Sequence, residues 1–241
     1  MKEFITAQLA TYPARIEILP QVINRLLPQV DRLNVMLNGY SDDDRRKLWD
    51  GLFTTIIKFG NHKLQFYQLD NSMIDCAKYY NIENAEPGYI FTVDDDILYP
   101  NNYVEKTIAK IEEYKRKYVV SYHGRVWQPR PIRNFYTARK EMYRCIEGFE
   151  GDHFVDCCGD GVAAWHTDTL KMRYDYCELP NMSQLWLALK CNEDNIKQIA
   201  IGHPPGMFMD LTIDLEDTIW AQEIKNCRLQ TNLINERWIE R

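Results

Sequence analysis

Short apolar runs alternate with amphipathic stretches along the first half of the chain. Runs that are typical of buried strands fall at 4–11, 32–37, 64–69, 89–93 and 118–122. Apolar residues at three- and four-residue steps predict helices over 16–27 and after Asn101 or Asn102. A capping signature predicts a helix from Ser41 onward, and a short helix is expected over 72–80. Strands that alternate with helices in this way predict an α/β fold with a mostly parallel sheet covered on both faces.

The pattern changes after His123. Residues 125–144 are rich in arginine, proline and aromatic residues and show little periodicity, which predicts a long loop. Two short strands around 153–158 and 162–166 flank the turn Gly159-Asp160-Gly161, and a helix over 181–190 and a strand over 196–201 follow. Because no repeat or low-complexity linker divides the sequence, we predict a single domain.

Composition and charge narrow the range of partners. The 241 residues are 45% hydrophobic, enough for a sizeable core, and the net charge of -6 argues against nucleic acid as a partner. The chain shows neither a signal peptide nor an apolar stretch of membrane-spanning length, which predicts a cytoplasmic protein and leaves peripheral membrane association open. The seven scattered cysteines fit reduced, buried thiols better than a disulfide framework.

Two aspartate triplets occur in different contexts. Asp42, Asp43 and Asp44 follow Ser41 at a predicted helix start, where acidic residues favour the positive end of the helix dipole. The triplet at 94–96 instead ends a strongly apolar strand, at the kind of position where open α/β sheets bind ligands. An exposed acidic turn is the alternative reading of this second triplet.

The second triplet predicts a metal site. On an extended segment Asp94 and Asp96 point the same way while Asp95 points opposite. Carboxylates this close raise one another's pKa unless a positive charge compensates, and Mn²⁺ or Mg²⁺ prefers such oxygen ligands. Since Mg²⁺ often shares its ligands with substrate phosphates, the implied substrate carries a diphosphate.

Several motifs together resemble a known family. They are Ala10-Thr11-Tyr12-Pro13-Ala14-Arg15, Leu37-Asn38-Gly39-Tyr40, the triplet at 94–96 with Ile97 and Pro100, Gly159-Asp160-Gly161-Val162-Ala163, and Pro180-Asn181-Met182. In these the chain resembles small nucleotide-sugar-dependent glycosyltransferases of the GT-A fold, related to the family 2 type of capsule and lipopolysaccharide gene clusters and of large algal viruses. The likeness extends loosely over 4–206, and only the second triplet is specific.

The resemblance implies a donor site. It implies a Rossmann-like sheet with a small second sheet near the acceptor site, and a donor that is a UDP-linked or other nucleotide-activated sugar. Residues implied to line the nucleotide pocket, or to hold its ribose or diphosphate, are Thr11, Tyr12, Arg15, Asn38, Asp70, Lys78, Asp94 and Asp95. The pair Asp94 and Asp96 resembles the metal motif of the family, and His203 is a candidate third metal ligand.

The residue that activates the acceptor is less clear. Inverting transfer needs a general base, and the resemblance implies an acidic residue near 182–186, where this chain has Gln184. Three options stay open: Asp160 supplies the base, Glu178 does so, or the reaction retains configuration and needs no such base. Asp160 is the first choice because flanking glycines would let a sugar approach closely.

We therefore predict a hexosyl- or related sugar transferase that acts on a glycan or lipid-linked acceptor in polysaccharide biosynthesis. The expected halves are a nucleotide-binding part over 1–124 and an acceptor part over 125–209, with a helical tail over 210–241. The arginine-rich stretch 125–144 is a candidate for neutralising the departing diphosphate or binding the acceptor. A non-catalytic nucleotide-sugar-binding module and a nucleotidyltransferase are the alternatives, although 11–15 lacks the glycine-rich phosphate loop of the latter.

Overall fold

A computed structural model describes residues 3–60, 62–212 and 226–240 of the chain. The strands in these residues are β1 (Phe4–Thr11), β2 (Arg32–Asn38), β3 (Leu64–Leu69), β4 (Gly88–Val93), β5 (Ile97–Leu98), β6 (Val119–Ser121), β7 (Gly124–Trp127), β8 (Arg139–Tyr143), β9 (His153–Val155), β10 (Cys157–Cys158), β11 (Val162–His166), β12 (Gln198–Ala200) and β13 (Met209–Asp210). The α-helices are α1 (Leu19–Leu26), α2 (Asp42–Phe59), α3 (Tyr103–Glu113), α4 (Ser183–Glu193) and α5 (Arg228–Arg237). Short 3-10 helices cover Pro13–Arg15, Leu27–Gln29, Ile74–Tyr79, Ile82–Asn84 and Tyr174–Tyr176.

Within the described residues, the central sheet has eight strands in the order β3-β2-β1-β4-β11-β6-β12-β9. Strands β3, β2, β1 and β4 are parallel neighbours, and β6 and β12 form another parallel pair. Strand β11 runs antiparallel between β4 and β6, and β9 is antiparallel at the edge. The prediction of a mostly parallel sheet is therefore confirmed.

Side chains of the sheet alternate between two apolar layers. In β4, all of which is buried, Tyr89, Phe91 and Val93 pack with residues of α1, α2 and α3. The intervening Ile90 packs in a second cluster with residues of α4 and α5. A strand that is buried on both faces reads as a continuous apolar run, which is why β4 was clear in the sequence.

Two small sheets flank the central one. Strands β10, β7 and β8 form an antiparallel sheet, so the stretch 125–144 is partly strand rather than the long loop that its composition predicts. Strand β13 pairs with β5 and brings 209–210 beside the second triplet. Helix α5 lies within the predicted helical tail, while 213–225 fall outside the described residues. The division into two halves and a tail stays a prediction.

Local departures from the sequence prediction have simple causes. Pro20 does not interrupt α1 but lies in its first turn, where the missing N–H costs no hydrogen bond. The helix expected over 72–80 is a 3-10 helix over Ile74–Tyr79. All seven cysteines are free and buried, as predicted. In the described parts of the chain, every helix is too short or too polar to span a bilayer.

Candidate functional site

Ends of four neighbouring strands meet at one edge of the central sheet. Because β1, β2 and β4 are parallel, Thr11, Asn38 and Val93 finish at the same edge. Strand β11 runs the opposite way with Val162 paired to Val93, so the turn that precedes it, with Asp160, reaches the same edge. The topology therefore brings the predicted residues of β1, β2, β4 and the glycine turn together.

The second triplet turns instead of continuing the strand. The chain turns at Asp95 and Asp96, so the expected alternation of an extended segment is wrong, and each carboxylate has its own surroundings. Asp94 faces Lys78, and its side chain is 39% exposed. Asp95 is buried, with Oδ1 3.9 Å from Nε of Arg15. Asp96 Oδ2 lies 3.5 Å from a terminal nitrogen of Arg15 and accepts a hydrogen bond from the Thr212 hydroxyl.

Negative charge at the triplet exceeds what the protein compensates there. Burial and the charge of Asp96 raise the pKa of Asp95 to about 7. Burial and the charge of Asp94 raise the pKa of Asp96 to about 6. Arg15 lowers both pKa values, but its guanidinium stands 3.5 to 3.9 Å away and does not restore the ordinary range. A further cation would be stabilised at this place.

Lys78 is a buried cation between two acidic residues. Its Nζ atom lies 2.6 Å from Oδ1 of Asp94 and 3.2 Å from Oδ2 of Asp160, and only 3% of the residue is exposed. Burial by itself would lower its pKa, but the charges of Asp160, Asp94 and Asp75 outweigh burial and raise the pKa above its ordinary value. Lys78 is therefore charged and ties the end of β4 to the glycine turn.

The glycine turn packs directly against the second triplet. A Cβ atom on Gly161 would lie 1.7 Å from Oδ2 of Asp94, so any side chain there would displace that carboxylate. The Tyr99 hydroxyl accepts a hydrogen bond from the Asp94 N–H at 2.8 Å and donates one to the Gly161 carbonyl. Glycine at 161 thus makes room for Asp94, a function that the sequence interpretation assigned to an approaching sugar.

Asp75 is a member of this cluster that the sequence interpretation missed. Its Oδ2 accepts hydrogen bonds from the Ser183 N–H at 3.1 Å and the Ser183 hydroxyl at 2.5 Å, at the start of α4. In the part of the chain that the structure describes, its buried Oδ1 has no hydrogen-bond partner, and burial together with the charge of Asp160 raises its pKa to about 6. The spacing of Asp75 and Lys78 on one helical turn was the available signal.

Residues expected to bind the nucleotide line the same edge. The Thr11 hydroxyl lies 3.3 Å from the Tyr40 hydroxyl, which donates a hydrogen bond to the Tyr12 carbonyl. The Arg15 guanidinium lies 5.5 Å from the centre of the Tyr12 ring. Asn38 donates from Nδ2 to the Ile74 carbonyl at 2.8 Å, and its buried Oδ1 has no partner. Among the described residues, that oxygen is a buried acceptor without a hydrogen bond at the end of β2.

Asp70 and Glu178 are not brought into the cluster. Asp70 is exposed and accepts hydrogen bonds from the N–H and the hydroxyl of Ser72, which makes it a turn residue and lowers its pKa. Glu178 is exposed and forms an ion pair at 2.7 Å with Arg237 of α5. These contacts speak against the predicted roles of Asp70 as a nucleotide ligand and Glu178 as a base.

His203 is placed unfavourably for the predicted metal role. Its Nδ1 lies 3.0 Å from the Ile201 carbonyl and its Nε2 lies 2.8 Å from the Cys145 carbonyl. A neutral imidazole donates from one ring nitrogen, and the other nitrogen here faces a second carbonyl oxygen at close range, so neither ring nitrogen is open to a metal. The imidazole is also enclosed by the rings of Tyr122, Phe149 and Phe208. The structure therefore corrects this expectation: His203 holds the backbone around it.

Asp94 and Asp96 are of the ligand type that a divalent metal prefers. Among the described residues, no group of three His, Cys, Asp or Glu side chains could hold a metal ion by itself. The two carboxylates are hard oxygen donors, and burial together with the charge of Asp94 raises the pKa of Asp96 despite the nearby Arg15. One or two carboxylates with phosphate oxygens are a usual set for Mg²⁺.

Comparison with solved structures identifies the fold. GalNAc-T7, solved with UDP, GalNAc and Mn²⁺, matches 85% of this chain with a TM-score of 0.57 and 8% sequence identity. The chain has a GT-A-like fold. TarS from S. aureus covers 78% of the chain with a TM-score of 0.47 and 13% identity. A mannosyltransferase from Pyrobaculum calidifontis, solved with GDP-Man and Mn²⁺, covers 86% with a TM-score of 0.47 and 12% identity.

The match is limited in extent. The GT-A-like chain spans 45% of GalNAc-T7, 54% of TarS and 56% of the mannosyltransferase, about half of each solved structure. No protein-family model matches the sequence, and no curated protein does either. The similarity to GalNAc-T7 therefore establishes the fold, and the chemistry has to be argued from the side chains at the sheet edge.

Proposed function

We propose that this protein is a metal-dependent glycosyltransferase that moves a sugar from a UDP-linked donor to a glycan or lipid-linked acceptor. The observation that carries the proposal is the pair of acidic centres at the end of β4, Asp94 with Asp96 and Asp160 in the glycine turn, joined by the buried Lys78. One centre suits a diphosphate with its metal, and the other suits an acceptor hydroxyl. The GT-A-like fold supports this assignment.

The donor would lie along the ends of β1, β2 and β4. Asn38 offers its unpaired Oδ1 to the base, Thr11 and Tyr12 border the pocket, and Arg15 faces the carboxylates that would lie next to the diphosphate. Asp94 and Asp96 would hold Mn²⁺ or Mg²⁺, which would stabilise the negative charge of the departing diphosphate. Asp95, buried beside Arg15, would keep that guanidinium in place.

Asp160 is the proposed general base. In an inverting transfer its carboxylate takes the proton of the acceptor hydroxyl, whose oxygen bonds to the anomeric carbon as the bond from that carbon to the diphosphate breaks. The diphosphate leaves with the electron pair. Lys78 and the Tyr79 hydroxyl, 3.2 and 3.4 Å from Oδ2 of Asp160, fix the carboxylate in position.

A binding module without turnover is the second candidate, and Gln184 favours it. An acidic residue is expected at the start of α4, and the Gln184 side chain there accepts a hydrogen bond from Arg125 instead of offering a carboxylate. The enzymatic proposal also includes a role in polysaccharide biosynthesis and a cytoplasmic location. It leaves peripheral membrane association open.

A donor assay separates the two candidates. The protein is incubated with a panel of nucleotide sugars and Mn²⁺, and release of the nucleoside diphosphate is measured with and without a panel of glycan and lipid-linked acceptors. We expect slow hydrolysis of one donor and faster release with a suitable acceptor. Tight donor binding without release under every condition would contradict the enzyme and favour the binding module.

A further inference from the structure

Arg125 in β7 is a buried cation without an acidic partner among the described residues. Only 5% of the residue is exposed. Its guanidinium lies 5.1 Å from the centre of the Phe135 ring and 5.7 Å from that of Tyr136. One terminal nitrogen donates to Oε1 of Gln184 at 3.2 Å, and the buried Nε has no partner. Most of its hydrogen-bonding capacity is therefore unused.

The charge of Arg125 lacks compensation. Burial lowers its pKa, the nearby Arg139 lowers it further, and the groups that oppose this are the Cys157 thiol and the Tyr136 hydroxyl, not carboxylates. A guanidinium stays protonated in proteins, so the cost of burying it is not relieved by loss of a proton. Buried charges are normally paired, and aromatic faces attract a guanidinium without accepting its N–H bonds in the way an anion does.

The position of Arg125 is on the Asp160 side of the cluster. Asp160 Oδ2 lies 3.4 Å from the Tyr79 hydroxyl, which lies 3.2 Å from the Ser183 carbonyl. The next residue, Gln184, accepts the hydrogen bond from Arg125. The described contacts of Arg15, in contrast, are to Asp95, Asp96 and the Tyr12 ring on the donor side. Arg125 is thus separated from the proposed base by a short chain of contacts through the start of α4.

We propose that Arg125 binds an anionic group of the acceptor, a carboxylate or a phosphate, so that the enzyme selects an acidic glycan or a phosphorylated acceptor. The inference rests on the proposed glycosyltransferase function and adds the chemical class of its acceptor. Gln184 is only partly exposed, and an anion that joins or replaces its amide oxygen would reach the free N–H groups of the guanidinium. A planar guanidinium suits two-point contact with either anion.

The alternative is that Arg125 neutralises the departing diphosphate. In that case its loss would weaken binding of UDP, whereas the acceptor site predicts no change in UDP affinity. The two arms of the experiment are therefore UDP affinity in the presence of Mn²⁺ and transfer to matched acceptors. Those acceptors are hexosides that differ only at C6, which carries a hydroxymethyl group, a carboxylate or a phosphate.

In the wild-type protein we expect kcat/KM for one of the charged acceptors to exceed that for the neutral one by about tenfold to a hundredfold. The carboxylate and phosphate arms identify which anion is natural. Arg125→Met should remove this preference and leave UDP affinity unchanged, and Arg125→Lys should restore part of it because the charge remains without the planar fork. Arg133→Met is the matched control, since Arg133 is an exposed arginine of the same segment.

Each result bears on a definite claim. Equal transfer by the wild-type protein to neutral and charged acceptors would overturn the inference while the proposed function stands, and this comparison holds even if Arg125→Met fails to fold. A loss of UDP affinity in Arg125→Met, with a retained preference for the charged acceptor, would assign Arg125 to the donor instead. Donor binding without transfer to any acceptor would contradict the proposed function itself.

Discussion

The Nζ atom of Lys78 lies 2.6 Å from Oδ1 of Asp94. This buried cation thereby contacts Asp94, a candidate metal ligand. A second contact, at 3.2 Å, is with Asp160, the candidate base. Two acidic centres this close would repel each other, and Lys78 offsets that repulsion. The ammonium group is therefore a structural condition for placing both centres at the end of one strand.

Removing Lys78 should destabilise the protein. In Lys78→Met the carboxylates of Asp94 and Asp160 lose their buried counterion, and we expect a loss of about 3 kcal/mol in the free energy of unfolding, reduced somewhat because Asp94 is partly exposed. Urea denaturation measures it. Arg46→Met is the control: its ion pair with Asp43 is exposed and should contribute less than about 1 kcal/mol. Equal losses in the two variants would contradict the account.

Asp75 should give stability a particular pH dependence. Its folded pKa of about 6 exceeds the ordinary value of roughly 3.9, so the folded state binds the proton more tightly, and the contribution present at low pH is lost as the pH rises through 6. Asp75→Asn lacks this loss, so its stability relative to wild type should rise as the pH increases from about 4 to about 6 and then level off. Denaturation curves at several pH values provide the measurement.

Asp70→Asn is the control for Asp75→Asn, because the pKa of Asp70 is shifted in the opposite direction. Hydrogen bonds from Ser72 lower the pKa of Asp70, so its contribution is present at neutral pH and is lost as the pH falls through the folded pKa. Relative to wild type, Asp70→Asn should therefore be less stable at neutral pH and should approach wild type in acid. The same pH trend in both variants would argue against the local cause given for Asp75.

A methyl group at 161 should disrupt the site more than the fold. The Cβ atom of Gly161→Ala would lie 1.7 Å from Oδ2 of Asp94, so the carboxylate has to move away from Lys78. We expect transfer to fall by about a hundredfold or more, because misplacing a group by about 1 Å is costly in catalysis. Gly51→Ala in α2 is the control, because a Cβ atom there would lie 3.1 Å from its nearest neighbour, Cγ of Pro20. Unchanged turnover in Gly161→Ala would rule out this packing as a functional feature.

The residues at this edge of the sheet could be predicted from the sequence because the signals that place them are local. The continuous apolar run of β4, the capping pattern of Ser41 with Asp44 and the order of strands and helices each depend on a few neighbouring residues. Ser41 and Asp44 form a capping box, which makes the first triplet a helix start, whereas the second triplet follows the end of β4. The sequence contexts of the two triplets indicated this difference. The convergence of Thr11, Asn38 and Asp94 followed from parallel strand direction alone.

The remaining features depend on contacts between distant parts of the chain. Tyr99 joins Asp94 to Gly161, and Asp75 holds the start of α4 through Ser183, 108 positions away. No spacing rule indicates such pairs. His203 shows the converse: a rigid loop suggested a ligand, but carbonyl groups of Ile201 and Cys145 face both ring nitrogens. Burial and partners decide a histidine's role, and neither is readable from its neighbours in sequence.

Asp160 and Glu178 should differ sharply as candidates for the base. Asp160→Asn keeps the shape of the side chain but accepts no proton, and we expect kcat to fall by about a hundredfold to ten-thousandfold with unchanged UDP affinity. Glu178→Gln, which loses only the ion pair with Arg237, should retain transfer. Steady-state kinetics with saturating donor make the comparison. Full activity in Asp160→Asn would exclude Asp160 as the base and reopen the retaining alternative.

The central claim is that Asp94 and Asp96 hold a divalent metal together with a nucleoside diphosphate, and calorimetric titration with UDP tests it most directly. The wild-type protein and Asp43→Asn, a matched change in the capping triplet, should bind UDP at least tenfold more tightly with Mn²⁺ than with excess chelator, a difference of about 1.4 kcal/mol. Asp96→Asn should lose this metal-dependent gain. Equal UDP affinity with and without Mn²⁺ in the wild-type protein, or an undiminished gain in Asp96→Asn, would contradict the account.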